Sequence, residues 1–137
     1  GEFGLMHLRD GKNWETLCSM SALVKSSKEH KLLISNGKEL FDMFDANNDV
    51  AYKIVDSFYK DMASAFANLI YAFSPQKIIL GGGISARGDS LINGIRKYLS
   101  IIMDEFYYEK TSIECAVYEN DAAMIGALQH YLFMNHK

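Results

Sequence analysis

Lys77-Ile78-Ile79-Leu80-Gly81-Gly82-Gly83-Ile84-Ser85 is the stretch on which the fold turns. Its first four residues form a short run with two β-branched isoleucines, which predicts a buried strand. Three glycines follow. Then Leu91, Ile92, Ile95, Leu99 and Ile102 recur at helical spacing, with Asp89 or Ser90 near the expected cap. A strand that ends in glycines and leads to a helix can bind phosphate. Without side chains the backbone approaches phosphate oxygens closely, its N–H groups donate, and the nearby helix N-terminus adds positive potential. No Gly-Lys-Ser/Thr follows, so this is not a Walker loop. The G-x-G-x-x-G spacing of a dinucleotide fingerprint is absent too. The same glycines would equally serve a tight turn that needs positive φ, so on the glycines alone both readings stand.

Working outward, the single proline, Pro75, marks a sharp boundary just upstream. Before it Val50, Ile54, Phe58, Met62, Phe66, Leu69 and Phe73 recur at helical spacing, and Val55, Tyr59, Ala63, Ala67 and Ile70 widen the stripe. So broad an apolar face predicts a long, mostly buried packing helix. Asn47, Asn48 and Asp49 supply capping groups, and Ser74-Pro75 stops it. Downstream, Ile113, Cys115 and Val117 alternate within a second strand expected over Ser112 to Val117. Asn120-Asp121 caps a last helix reaching about Phe133. Upstream, Asn13 caps a helix carrying Trp14, Leu17, Cys18, Ala22 and Val24, and a short helix covers Lys38 to Phe44. Strands alternating with helices predict an α/β fold, helix-rich, with a small and incomplete sheet.

Composition bounds the function. The chain has 137 residues, enough for one domain. With Lys+Arg 14 against Asp+Glu 17 the formal charge is -3, which argues against a phosphate-gripping nucleic-acid domain. At 49% hydrophobic and 23% charged the composition is that of an ordinary globular core. No apolar run approaches the roughly 20 residues of a membrane span. The two cysteines, Cys18 and Cys115, are far apart, which fits a reducing cytoplasm and core thiols rather than a disulfide framework.

The ordered set of local patterns resembles the C-terminal lobe of the ROK family, which comprises sugar kinases and sugar-responsive repressors. The resemblance runs through Ala67-Asn68-Leu69-Ile70, Phe73-Ser74-Pro75, Lys77 to Ser85, and Asn120-Asp121-Ala122-Ala123 with Ile125-Gly126-Ala127. At the start, Gly1-Glu2-Phe3-Gly4 looks like the family's Gly-Glu-x-Gly-His segment. Trp14-Glu15 followed by Ser19 or Ser21 looks like its Glu-x-x-x-Ser helix. The resemblance implies a two-lobed, actin-like, ribonuclease-H-like fold, with ATP and a hexose bound in the cleft between the lobes. It implies that Gly81, Gly82 and Gly83 lie along the ATP phosphates, with Mg²⁺ bridging them, and that Glu2 and Glu15 accept hydrogen bonds from sugar hydroxyls. A carboxylate suits that task because it offers several lone pairs. From the residues alone, Glu15 reads as a first-turn acid favoured by the helix dipole.

Departures from the pattern matter as much. Leu5 stands where the family has histidine, and the segment from Met6 to Trp14 lacks cysteine and is too short for the family's three-cysteine loop. Histidine and cysteines are absent together, so no structural zinc is expected. His7 is two positions late to replace the histidine. The family's catalytic base, the aspartate of an Asn-Asp pair in the other lobe, has no counterpart here, and no catalytic residue is assigned.

The resemblance leaves two functions. One is the C-terminal portion of a hexose kinase spanning residues 1–137, with the N-terminal lobe elsewhere and no turnover by this portion alone. The other is the ligand-sensing domain of a transcriptional repressor whose DNA contacts lie outside these residues. The chain starts at Gly1 without methionine and reads as a piece of something longer, or else Gly1-Glu2-Phe3 is a remnant of cloning. Open strand edges predict a homo-oligomer or a need for the missing half.

Overall fold

The computed structural model describes residues 2–117 and 121–135. A 3-10 turn (Phe3–Leu5) leads into a hairpin of β1 (His7–Arg9) and β2 (Lys12–Asn13). Helices α1 (Trp14–Cys18), α2 (Met20–Glu29), α3 (Gly37–Asp45) and α4 (Asp49–Phe73) follow. Then come β3 (Lys77–Leu80), a 3-10 turn (Gly83–Arg87), α5 (Asp89–Ile102), α6 (Glu105–Tyr108), β4 (Ser112–Cys115) and α7 (Ala122–Asn135).

The expected long helix is α4, and the rest is built around it. Asn48 caps it, its side-chain oxygen accepting the N–H groups of Val50 and Ala51 at 3.0 Å each. At the far end Ser74 turns left-handed at φ 45° while its N–H still reaches the Ile70 carbonyl at 2.8 Å. Pro75 then blocks any continuation. Most of the apolar stripe is buried as its spacing predicts, with Ile54, Phe58, Met62 and Phe66 all in the core, while Phe73 at its end is exposed. Helices α1, α2, α3 and α5 pack against it. Edge-to-face ring pairs mark two of those contacts, Phe41 with Phe58 and Trp14 with Phe66.

The Gly-loop strand and the second expected strand do pair. β3 and β4 run parallel, from Lys77 opposite Ser112 to Leu80 opposite Cys115. Helix α5 makes the crossover and buries Leu91, Ile95 and Leu99 completely. Such a unit is the α/β element that the alternating pattern predicts. Its ends are tied by polar contacts: the buried Thr111 hydroxyl donates to the Pro75 carbonyl at 2.7 Å, and Lys77 pairs with Glu114 at 2.8 Å. Among the described residues the sheets are two separate pairs, β1–β2 and β3–β4.

Two local readings are corrected by the structure and one element is added. The helix expected from Asn13 through Val24 is broken at Ser19, whose backbone is extended (φ -81°, ψ 160°) and whose hydroxyl caps α2 by accepting from Ala22. The second strand ends at Cys115, two residues short. Asp89 and Ser90 open α5 as expected near its cap, and the cap itself is Gly88 at φ 54°. The β1–β2 hairpin is an addition, and its signal is Asp10-Gly11. Both residues take positive φ, 52° and 70°, as the tightest hairpin turns require. Asn120, expected as a cap of the last helix, lies outside the described residues.

The contact between α4 and α5 is close enough to exclude a methyl group. A Cβ added at Gly94 would lie 2.4 Å from the Tyr59 ring, which Phe44 and Phe58 hold in place. Gly94→Ala is therefore expected to destabilise the fold by about 1–3 kcal/mol through overpacking, despite the ~1 kcal/mol that alanine gains over glycine in a helix. Thermal unfolding checks this, and an unchanged or raised Tm would contradict the packing described.

Candidate functional site

The short helix α1 carries Glu15 at a defined place because its N-terminal end is fixed. Asn13 caps it, accepting from the Thr16 N–H at 2.9 Å and from the Thr16 hydroxyl at 2.6 Å. The Trp14 N–H donates to the Met6 carbonyl at 2.8 Å, which joins the helix to the chain's first turn. The Trp14 indole N–H points to the Met62 sulfur at 3.2 Å. Glu15 itself is exposed, in the first turn of the helix.

Beside Glu15 lies a groove of about 310 Å³. Trp14, Met62, Leu80 and Ile84 give it an apolar wall, while Glu15, Ser19, Cys18 and the Gly4 backbone complete it. Gly4 belongs to the turn resembling the family's Gly-Glu-x-Gly segment, and a Cβ there would lie 3.6 Å from Glu15 Cβ. Leu80 and Ile84 are the residues on either side of Gly81-Gly82-Gly83. Two segments more than sixty residues apart in sequence are thus joined at one groove. Glu2 is exposed two residues before Gly4, and it is not among the groove's lining residues.

The glycine loop is open on its outer side and anchored below. A Cβ at Gly81 or Gly82 would meet nothing within 4 Å, so a ligand has room to approach the backbone. Gly82 sits at φ 80°, ψ -178°, a region that L side chains avoid. The buried Ser85 ties the loop to itself, its hydroxyl donating to the Gly82 carbonyl at 2.7 Å. At the loop's end Arg87 makes a two-pronged contact with Asp45 at 2.8 and 3.0 Å, donates to the Ser90 hydroxyl at 3.0 Å, and lies over the Phe41 ring. These hydrogen bonds hold the Asp45 carboxyl below its ordinary range. The loop is therefore fixed to β3 at one end and to α3 at the other.

Cys18, in the groove wall, is pushed well above the usual thiol range, first by burial and then by the negative charge of Asp61. Burial there favours the neutral thiol over the thiolate. Sequence reasoning singled out Glu15 and the three glycines but not Met62 as part of a site. No pattern in the sequence distinguishes Met62 from its neighbours in the apolar stripe, and only the fold turns it toward Trp14. Among the described residues no helix is long and apolar enough to cross a membrane.

The parallel β3–β4 pair, with its glycine loop and α5 crossover, belongs to an actin-like, sugar-kinase type of fold. The ROK family model matches residues 9–133, and the chain belongs to the ROK family. It is similar to a β-glucoside kinase of Listeria monocytogenes, at 31% identity over 96% of this chain and 47% of the relative. Other relatives are a glucokinase of Halalkalibacterium halodurans, 31% identical over 77% of this chain and 32% of its own length, and N-acetylmannosamine kinases. Among solved structures, a ROK family protein from Streptococcus pneumoniae in complex with sucrose superposes with a TM-score of 0.84 at 26% identity, over 99% of this chain and 49% of the other. A ROK family glucokinase from Streptomyces griseus in complex with glucose and AMPPNP shares the fold, with a TM-score of 0.75 at 22% identity over 92% and 49%. The chain thus spans about half the length of the curated β-glucoside kinases it matches.

The backbone of Gly82 gives a direct test of the loop. Gly82→Ala is expected to cost about 1–3 kcal/mol of stability through strain. Gly81→Ala, at a residue without positive φ and with free space around it, is expected to cost less. Thermal unfolding compares the two, and equal losses would contradict the loop conformation.

Proposed function

We propose that this chain forms one face of the cleft of an ATP-dependent hexose kinase. The observation that carries the reading is the single groove shared by Glu15 and the two residues flanking the glycine loop. A phosphoryl acceptor and a phosphoryl donor must be brought together, and this arrangement sets a sugar-type acceptor site beside a phosphate-type loop. A β-glucoside kinase, a glucokinase and N-acetylmannosamine kinases among the curated relatives support it.

In this reading the Glu15 carboxylate accepts hydrogen bonds from sugar hydroxyls and fixes which hydroxyl faces the nucleotide. Ser19 adds a further hydroxyl at the groove. The apolar wall of Trp14 and Met62 receives the C–H face of the sugar ring and excludes water. Glu2, exposed and outside the groove's lining, is assigned to the sugar when the cleft closes. The exposed backbone of Gly81, Gly82 and Gly83 follows the ATP phosphates, and Mg²⁺ would neutralise charge on those phosphates. We assign the general base to the half of the fold that this chain does not supply. Residues 1–137 then act as one unit of the C-terminal lobe.

The uncovered apolar side chains fit a chain that works with a partner. Phe73, Ile79, Met124 and Leu128 are all more than half exposed, and β3 pairs only with β4 among the described residues. The 137-residue chain alone is expected to self-associate in sedimentation velocity, and a monodisperse monomer would contradict this.

The decisive assay is ADP release by the intact protein with Mg-ATP and a panel of β-glucosides, glucose and N-acetylmannosamine. Sugar-dependent release is expected, with kcat/KM for the sugar reduced about 10- to 100-fold in Glu15→Gln, as suits the loss of hydrogen bonds to a charged group. A sugar-induced rise in Tm with no ADP release would overturn the kinase reading in favour of a sugar sensor.

A further inference from the structure

Asp61 is a carboxylate in an expensive place. It lies midway along α4 with only 7% of its surface exposed, beside the core residues Phe58, Met62 and Ala65. A buried carboxylate needs a partner that satisfies its charge and its lone pairs. Arg9 of β1 supplies it with a fork: Arg9 Nε donates to Asp61 Oδ1 at 2.7 Å and Nη2 to Oδ2 at 2.8 Å. The fork fixes direction as well as distance, which a lysine would not do.

We propose that the Arg9–Asp61 pair is a positioning clamp for Glu15, holding the β1–β2 hairpin on α4 and so setting where α1 presents the carboxylate to the groove. The inference rests on the kinase reading of Glu15. Three observations support it. The hairpin cannot hold itself: it has two Cα pairs with an irregular register between them, and so short a hairpin is not stable alone. The hairpin runs straight into α1, so its placement sets Asn13, the cap, and Glu15 two residues later. The second hold on this segment comes from the adjacent residue of α4, since Met62 meets the Trp14 indole. Successive residues of one rigid helix thus grip the two ends of the segment from Arg9 to Trp14.

A pair kept for stability alone would be replaceable. Asp61 is buried while the Arg9 side chain is 45% exposed, and pairs with a buried charge commonly exchange for apolar residues of similar volume with little or no loss of stability. A pair that aims a side chain would not be, because apolar contacts lack the fork's direction.

The test compares Arg9→Lys, the double variant Arg9→Met/Asp61→Leu, Glu15→Gln, and the double variant combined with Glu15→Gln, all in the intact protein. The paired apolar replacement avoids leaving Asp61 buried and unpaired, and Arg9→Lys keeps the charge. The readouts are Tm, the KM for sugar and the KM for ATP. Both clamp variants are expected to fold and to raise the sugar KM about tenfold through displacement of Glu15, with the ATP KM within about twofold of wild type. Adding Glu15→Gln to the double variant is expected to raise the sugar KM by less than it does in the wild-type background. A folded double variant with wild-type sugar KM, or sugar and ATP KM rising together, would overturn the clamp while leaving Glu15 in its role. A Glu15→Gln variant with unchanged sugar KM would overturn the site assignment itself, and the clamp with it.

Discussion

The burial of α4 is the constraint on which the rest of the structure depends. A helix of 25 residues with apolar groups around most of its circumference has no stable place except inside, so other elements must surround it. That requirement brings α1, α2, α3 and α5 onto one axis. Local features follow from it. Gly94 is small because α5 must approach the Tyr59 ring. Trp14 lies flush because Phe66 and Met62 form its bed. The one strongly buried carboxylate of the helix, Asp61, then selects its guanidinium partner from the neighbouring hairpin.

The groove is a product of the same packing. Glu15 and the glycine loop belong to separate segments, and nothing local draws them together. They meet because Met62 of α4 packs beneath Trp14 while β3, which follows α4 after Pro75, ends at Leu80 beside the same side chain. The loop is further pinned by the Arg87–Asp45 contact to α3. Both halves of the groove are therefore held by elements that also pack on α4, which favours precise placement over adaptability.

The apolar surface left open carries its own message about organisation. Ile79 on the strand and Met124 and Leu128 on α7 face outward, where a complete core would cover them. Chains matching this one over its whole length are about twice as long.

Much was legible in sequence because it is encoded locally. The apolar period of α4, the Asn48 cap, the Ser74-Pro75 stop and the β3–glycine–α5 succession all rest on spacing and backbone preference, and each is where its residues predict it. The hairpin was missed although Asp10-Gly11 signals it, because its strands are too short to show alternation. The break at Ser19 was missed because serine is tolerated within helices, and only the packing of α1 and α2 against α4 demands the bend. The sequence by itself determined α4, its cap and its stop, and the β3–glycine–α5 succession, and it singled out Glu15 and the three glycines as candidates. The tertiary structure alone decided which of them share a groove, that Glu2 is not among its lining residues, and that Arg9 meets Asp61. Those relations depend on contacts between residues about fifty or more positions apart, and no local preference carries information over that distance.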